Sequence, residues 1–243
     1  MNLIARLVNG QEIDVAGFLF DMDGTLLDSI ASIEDAWAAW AAEWGVDPSP
    51  PLPHGVTAAS LIAHLGVPAE RRAAAQRSLA QIEARPGQRI ALKQGAGDLL
   101  EAVPRERWGI VTSAARSVAH ARLTAAGIRP PHVLVTGDDV DAGKPAPDPF
   151  SLGMARLSPP GTPEGPIVAV EDTVVGAESA RAAGCLVVAV EGTATDRELT
   201  ATAHVVVASL ACLVARVRGG GLRVSIERPP AGGSRVAGAL PER

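Results

Sequence analysis

Hydrophobic positions along the chain change period several times, and each change predicts an element. Gly17 to Phe20 is a continuous apolar run of the length expected for a short buried strand. From Ser29 the spacing becomes helical. Ile30, Ile33, Trp37, Trp40 and Trp44 recur three and four residues apart, which predicts an amphipathic helix over Ser29 to Trp44. Its tryptophan stripe reads as core rather than as a surface for stacking ligands. Gly45 and the prolines between Pro48 and Pro53 end it. Val56 to Leu65 and Ala69 to Ile82 predict two more helices, parted by Gly66 and Pro68. No convincing strand falls between Ser29 and Lys93.

Beyond Gly95 helical and strand-like segments alternate. Helices are predicted at Ala96 to Val103, Ser117 to Ala126, Phe150 to Leu157 and Val174 to Ala183. Strands are predicted at Trp108 to Val111, Val133 to Val135, Ile167 to Val170, Leu186 to Val190 and Ala203 to Val207. Such alternation predicts a parallel sheet with helices on both faces, a doubly wound α/β fold. The chain then divides into a core of residues 1–28 and 94–228, an all-α insertion of residues 29–93, and a mobile Pro/Gly/Ala tail of residues 229–243. At the start, Leu3 to Val8 and Gln11 to Val15 flank Asn9-Gly10, which predicts an edge hairpin. Near the end a helix is expected from Leu210, and a late hairpin from Leu213 to Val217 and Leu222 to Ile226 around Gly219-Gly220-Gly221.

Composition narrows the class. The chain has 243 residues, 47% of them hydrophobic and 20% charged, as in a soluble globular protein. A net charge of −5 gives no basic footprint for nucleic acid. Cys185 and Cys212 are too few for a disulfide framework and fit a reducing compartment. No apolar run reaches the length of a membrane span and Met1 to Asp14 lacks a leader-like pattern, so a cytoplasmic protein, a monomer, is expected. Lys93 and Lys144 are the only lysines among many arginines, which makes each a residue to explain.

Chemistry concentrates at the ends of predicted strands. The first runs into Asp21, Met22, Asp23, Gly24 and Thr25; the second into Thr112 and Ser113; a later one into Glu171 and Asp172. In an open parallel sheet the carboxyl ends of the strands share one edge, so folding should gather these groups. The loop carrying Gly143-Lys144-Pro145 can reach the same edge. Crowded carboxylates resist ionisation unless a cation offsets them. Oxygen-rich donors of this kind suit Mg²⁺, with substrate phosphate oxygens completing its shell. A calcium loop is excluded: the acidic side chains do not continue at alternate positions and no Glu stands at the loop's last place. An aspartate here can attack phosphorus, and a second can serve as acid and base. Taken singly, Ser113 reads as a turn residue, Lys144 as a surface charge and Glu171-Asp172 as the start of a helix; together and in this order they do not.

The segments FDMDGTLLDS, VTSA, GKPAPDPF and VEDTVVGAESARAAGC resemble the four motifs of the haloacid dehalogenase (HAD) superfamily of phosphatases, over about Phe18 to Val207. The resemblance implies a Rossmann-like core with an inserted helical cap. It also implies roles: Asp21 as nucleophile, Asp23 as acid and base, and Ser113 and Lys144 as phosphate-binding catalytic residues. Gly24, Thr25, Thr112 and Ala114 would line the substrate. Mg²⁺ would be held by Asp21, Asp172 and the Asp23 main-chain carbonyl, with Glu171 either a ligand or a partner reaching the ion through water. Within the superfamily, His54-Gly55 and the segments after Pro104 and Gly127 resemble the sugar- and polyol-phosphate phosphatases. His54 is then a substrate contact or a helix-start residue. Those enzymes often carry an Arg just after the His-Gly pair, where this chain has Val56, Thr57 and Ala58. The expected activity is Mg²⁺-dependent hydrolysis of a small sugar or polyol phosphate, a small phosphorylated metabolite being the partner. The alternatives are a phosphosugar mutase and a non-catalytic phosphate-binding protein. Halide removal is disfavoured, because it has no use for Asp23.

Overall fold

The computed structural model describes residues 2–48, 52–85, 87, 90–158 and 165–227. The tail expected over 229–243 lies outside these residues, as does most of the Pro/Gly loop around 159–164. The chain opens with helix α1 (Leu3–Val8) and strands β1 (Ile13–Val15), β2 (Gly17–Phe20) and β3 (Leu27–Asp28). Helices α2 (Ile30–Trp44), α3 (Ala58–His64) and α4 (Ala69–Glu83) follow, then β4 (Ala91–Leu92) and α5 (Ala96–Ala102). The alternating part is β5 (Trp108–Val111), α6 (Arg116–Ala125), β6 (Val133–Val135), α7 (Asp148–Leu157), β7 (Ile167–Glu171), α8 (Val174–Ala182), β8 (Leu186–Val190), α9 (Asp196–Thr202) and β9 (Val205–Val207). The hairpin β10 (Leu213–Arg218) and β11 (Gly221–Ile226) comes last.

Six strands form one sheet in the order β6-β5-β2-β7-β8-β9, all parallel. Connections leave β2 toward β5 and β6, then return to β7 on its other side. The strand order therefore reverses at β2, and the crevice above its carboxyl end is the place where such sheets bind ligands. Strands β2, β5, β7 and β8 are buried along their whole length, as expected when helices cover both faces. Phe18 and Phe20 stack at 5.4 Å on one face, while Leu19 packs with Val111 and Phe150 on the other. Truncating a ring such as Phe20 to Ala would cost about 3–5 kcal/mol. This rigid layer fixes the position of the loop that follows.

The helical insertion builds an apolar cluster of its own. Trp37, Trp40 and Ala41 of α2 meet Leu61 and Ile62 of α3 and Ala75, Leu79 and Ile82 of α4. Trp40 is fully buried and its Nε1 donates to the Ala75 carbonyl at 3.0 Å. The tryptophan stripe is core, as its spacing predicts, although Trp37 also faces a cavity described below. Both connections of the insertion run through the short antiparallel pair β3–β4, with Leu27 opposite Leu92 and Asp28 opposite Ala91. Of that pair, β4 is the strand missed between Ser29 and Lys93.

Three further expectations are corrected. Leu3–Val8 is a helix, not half of a hairpin. The Asn2 side chain accepts from Ala5 N at 2.8 Å, Ile4 and Leu7 are buried one turn apart, and β1 pairs with β11 instead. The helix expected from Leu210 is a single 3-10 turn, Leu210–Cys212, because the chain enters β10 at once; the late hairpin is present. Helix α9 was not anticipated, although Thr195 and Glu198 form a capping box at its start. Both cysteines are free and buried, and among the described residues no helix is long and apolar enough to cross a membrane.

Candidate active site

The loop after β2 turns at once over the sheet edge. Gly24 sits at φ +86°, a left-handed conformation that side chains resist. A Cβ at this position would also fall inside the Asp172 carboxylate, so Gly24 permits both the turn and the close approach. Thr25 Oγ1, fully buried, donates to Asp172 Oδ1 at 2.9 Å. This bond ties the loop after β2 to the end of β7, across 147 residues of sequence.

Lys144 is buried and binds three groups. Its Nζ donates to Asp21 Oδ1 at 2.6 Å, to Glu171 Oε1 at 2.6 Å and to the Val111 carbonyl at 3.1 Å. The ammonium therefore links the ends of β2, β5 and β7. Burial works against its charge, but Asp21 and Glu171 outweigh burial and hold its pKa above the ordinary lysine value. Both Glu171 oxygens are engaged. Oε1 takes Lys144, while Oε2 accepts from Asp172 N, Thr173 N and Thr173 Oγ1 at 3.0, 3.1 and 2.9 Å. Thr173 in turn caps α8 through Gly176 N. A Cβ on Gly176 would collide with the Glu171 carboxylate, so a glycine is needed there.

Asp21, Glu171 and Asp172 offer oxygens that all lie within 4.8 Å of one another, a spacing that can hold a metal ion. Burial pushes the Asp21 carboxyl well up, Lys144 opposes it, and Glu171 and Asp172 add to the rise. Burial and then Glu171 push Asp172 up to about 7. Its Oδ2 is buried and has no hydrogen-bond partner. Such an orphan costs about 1–3 kcal/mol, which a divalent ion at that oxygen would relieve. The donor set, carboxylates beside a sheet edge with backbone carbonyls nearby, fits Mg²⁺.

Next to the cluster lies a cavity of about 460 Å³ between the sheet edge and the inserted helices. It is lined by Asp21, Asp23, Thr112, Ser113 and Ala114 from the core and by Trp37, His54 and Leu61 from the insertion. Ser113 Oγ donates to the Gly55 carbonyl at 2.6 Å, joining the predicted phosphate-binding residue to the insertion. Thr112 Oγ1 accepts from Ala114 N at 3.1 Å and shapes that turn. His54 lies at the cavity wall with Nε2 3.8 Å from Glu34 Oε1. Helix α3 begins later and is capped by Thr57, so His54 does not start it. Asp23 is held at both oxygens, by Ser29 Oγ at 2.6 Å and by Arg122 Nη1 at 2.7 Å.

Arg122 and its second partner, Glu83 at 2.8 Å, are the residues that sequence reasoning missed. A signal was there. Arg122 stands in the buried stripe of α6 with Val118, Ala119 and Leu123, and Glu83 ends the buried stripe of α4 with Leu79 and Ile82. A charge in an apolar stripe needs a partner. Burial opposes the guanidinium's charge, while Asp23 and Glu83 more than restore it. Burial raises Glu83 against the pull of Arg122.

Comparison with known proteins agrees with this geometry. Residues 15–184 match the haloacid dehalogenase-like hydrolase family. Hexitol phosphatase A of Escherichia coli is 40% identical over 184 residues, covering 73% of this chain and 84% of that protein. Glycerol-1-phosphate phosphohydrolase 2 of Saccharomyces cerevisiae is 28% identical over 191 residues, covering 74% of this chain and 76% of that one. Among solved structures, CbbY from Rhodobacter sphaeroides in complex with phosphate superposes with a TM-score of 0.65 at 26% identity, covering 81% of this chain and 95% of that one. With a family match over most of its length and the strand-end cluster its motifs imply, the chain belongs to the haloacid dehalogenase-like hydrolases.

Proposed function

We propose that this phosphatase hydrolyses the phosphate monoester of a small sugar or polyol in a Mg²⁺-dependent reaction through an aspartyl-phosphate on Asp21. The observation that carries the reading is Asp172 Oδ2, a buried oxygen without a partner, set in one cluster with Asp21. Asp21, Asp172 and the main-chain carbonyl of Asp23 would hold the ion. When bound, Mg²⁺ offsets the carboxylate charge and the charge that develops on the transferring phosphoryl group. Glu171 acts differently: with both oxygens engaged, it fixes Lys144 and the start of α8.

Asp21 attacks phosphorus through the oxygen that Lys144 does not occupy. Lys144 favours the ionised form of that carboxylate and aims it. Ser113 and the N–H groups of the turn after Asp21 cradle phosphate oxygens. Asp23 protonates the departing oxygen, then takes a proton from the water that cleaves the aspartyl-phosphate. The helical cap excludes bulk water while this happens, and its opening releases product.

The cavity wall supports a neutral alcohol as leaving group. Ile33, Trp37, Leu52, Val56 and Leu61 give it an apolar face on which a sugar carbon skeleton can lie. Among its described residues no lysine lines it, and its one arginine, Arg122, is taken by two carboxylates. A mutase must anchor a second phosphate at the far end, and among the described lining residues neither a lysine nor an unpaired arginine offers that anchor. The relatives named for hexitol and glycerol phosphates support the same substrate class. Phosphate release measured over a panel of sugar and polyol phosphates, with and without a chelator, tests the proposal. Turnover is expected to need Mg²⁺ and to vanish in Asp21→Asn with the fold retained; chelator-resistant turnover, or normal turnover in that variant, refutes it.

A further inference from the structure

We infer that Arg122 is a positioning residue for Asp23, and that Glu83 makes this positioning depend on the seating of the helical insertion. The inference rests on the phosphatase reading above. It starts from a chain of charges drawn from three elements: Asp23 in the loop after β2, Arg122 in core helix α6, and Glu83 at the end of α4 in the insertion. Arg122 is 3% exposed and Glu83 8%. Nη1 binds Asp23 and Nη2 binds Glu83, while the Nε–H finds no acceptor. The guanidinium is therefore steered by its two carboxylates alone.

Asp23 has one oxygen on Ser29 and the other on Arg122. Two held oxygens fix the plane of a carboxylate. If Glu83 withdraws with α4, the guanidinium keeps one anchor and can swing about it, and the plane of Asp23 is no longer set. Seating of the insertion thus reaches Asp23 through a planar, forked group whose geometry a lysine cannot copy. The step that depends on this plane is proton donation. As a bond forms from an Asp21 oxygen to phosphorus, the bond from phosphorus to the leaving oxygen breaks. Its electron pair stays on that oxygen, and the proton of Asp23 goes to it, leaving Asp23 ionised.

A pair of esters separates this role from a structural one. An alkyl phosphate such as glycerol 1-phosphate needs the proton, whereas p-nitrophenyl phosphate expels a weakly basic oxygen that leaves without it. The constant to compare is kcat/KM, which ends at the first irreversible step. In Arg122→Met the alkyl ester should lose about 10²-fold or more, the usual contribution of a placed acid, while the aryl ester changes little. Glu83→Ala should shift the alkyl-to-aryl ratio in the same direction by about tenfold or more, as small misplacements do. Glu83→Gln, which can still accept from Nη2, should recover most of it. Equal losses for both esters, or an unchanged ratio, overturn the inference. If Arg122→Met does not fold, Arg122→Lys and Glu83→Ala carry the same comparison: a selective loss of the alkyl ester supports the inference, and an unchanged ratio overturns it. A wild-type enzyme that releases phosphate from no ester of the panel above instead overturns the phosphatase reading itself.

Discussion

Replacing Asp172 by Asn should stabilise the metal-free protein above neutral pH and remove its response to Mg²⁺. The carboxyl is buried, stands beside Glu171, and titrates at about 7 instead of 3.8. The folded state therefore binds its proton more tightly than the unfolded chain does. Between those two values the native form holds more protons than the unfolded form, so stability falls as pH rises. The contribution of the neutral carboxyl is intact below about pH 4 and is lost as pH climbs through 7. At about 1.4 kcal/mol per pH unit, the full loss is about 4 kcal/mol. Asn keeps the oxygen that accepts from Thr25 but buries an amide N–H₂ where Oδ2 was, which returns about 1–3 kcal/mol of that gain. The net expectation at pH 8 in chelator is a variant about 1–3 kcal/mol more stable than wild type. The advantage should shrink to nothing or reverse near pH 4. Urea unfolding at a series of pH values measures it directly. Added Mg²⁺ should then raise the wild-type midpoint and leave the variant unmoved. A variant less stable than wild type at pH 8, or a difference that does not change with pH, would refute the electrostatic account of the cluster.

Other perturbations address its remaining parts. Lys144→Met strands Asp21 and Glu171 as buried carboxylates, and breaking a buried pair costs about 3–5 kcal/mol; a melt in chelator should drop by about 10 °C, and a drop under about 2 °C would contradict it. Gly24→Ala adds about 1–2 kcal/mol of backbone strain and pushes Asp172 aside. Mg²⁺ titration of its activity should show metal affinity weakened by about tenfold or more, and an unchanged titration would count against the site. Ala58→Arg places a cation on a cavity wall that has no lysine and whose one arginine, Arg122, is paired. Because a hydrogen bond to a charged group contributes about 1.5–3 kcal/mol, kcat/KM for a carboxylate-bearing phosphate ester should rise about tenfold or more relative to a polyol phosphate. A ratio that stays put would show that the wall does not meet the leaving group.

What sequence made legible follows from the range of the interactions involved. Buried strands such as Ile167–Glu171 carry their signal within five residues, and parallel alternation then places Asp21, Ser113 and Asp172 at one edge without knowledge of any contact. Lys144 stood out through scarcity, and its partners turn out to be the carboxylates at the ends of β2 and β7. The errors have the opposite character. Asn9-Gly10 is a good local turn signal, but the partner of β1 lies at Leu222 to Val224, far outside any local window. Helix α9 has a readable capping box yet buries only Leu199, so its apolar period is too faint to register. Arg122 and Glu83 each stand as a charge in an otherwise apolar helical stripe, which marks them as needing a partner without naming it. Their pairing is a property of how the insertion packs on α6, and local pattern holds no record of that.

The charges explain why the site is built as one unit. Asp21, Glu171 and Asp172 are three buried carboxylates against one ammonium in contact with them, Lys144, with the charge of Lys93 also acting on Asp172. That balance leaves an excess of negative charge that the protein itself does not neutralise, focused where Asp172 Oδ2 has no donor. A monovalent partner would leave part of it, and a third internal base would consume the oxygens that a substrate complex requires. A divalent cation with oxygen preference meets both conditions. Asp23, two residues from Asp21, escapes the problem because Arg122 and Ser29 take its oxygens. The two aspartates of one short loop thus face different partners: Asp21 a buried ammonium and the acidic cluster, Asp23 a guanidinium tied to the insertion. The two aspartates are thus separated by partner and by placement, as paired carboxylates must be if they are to divide their work.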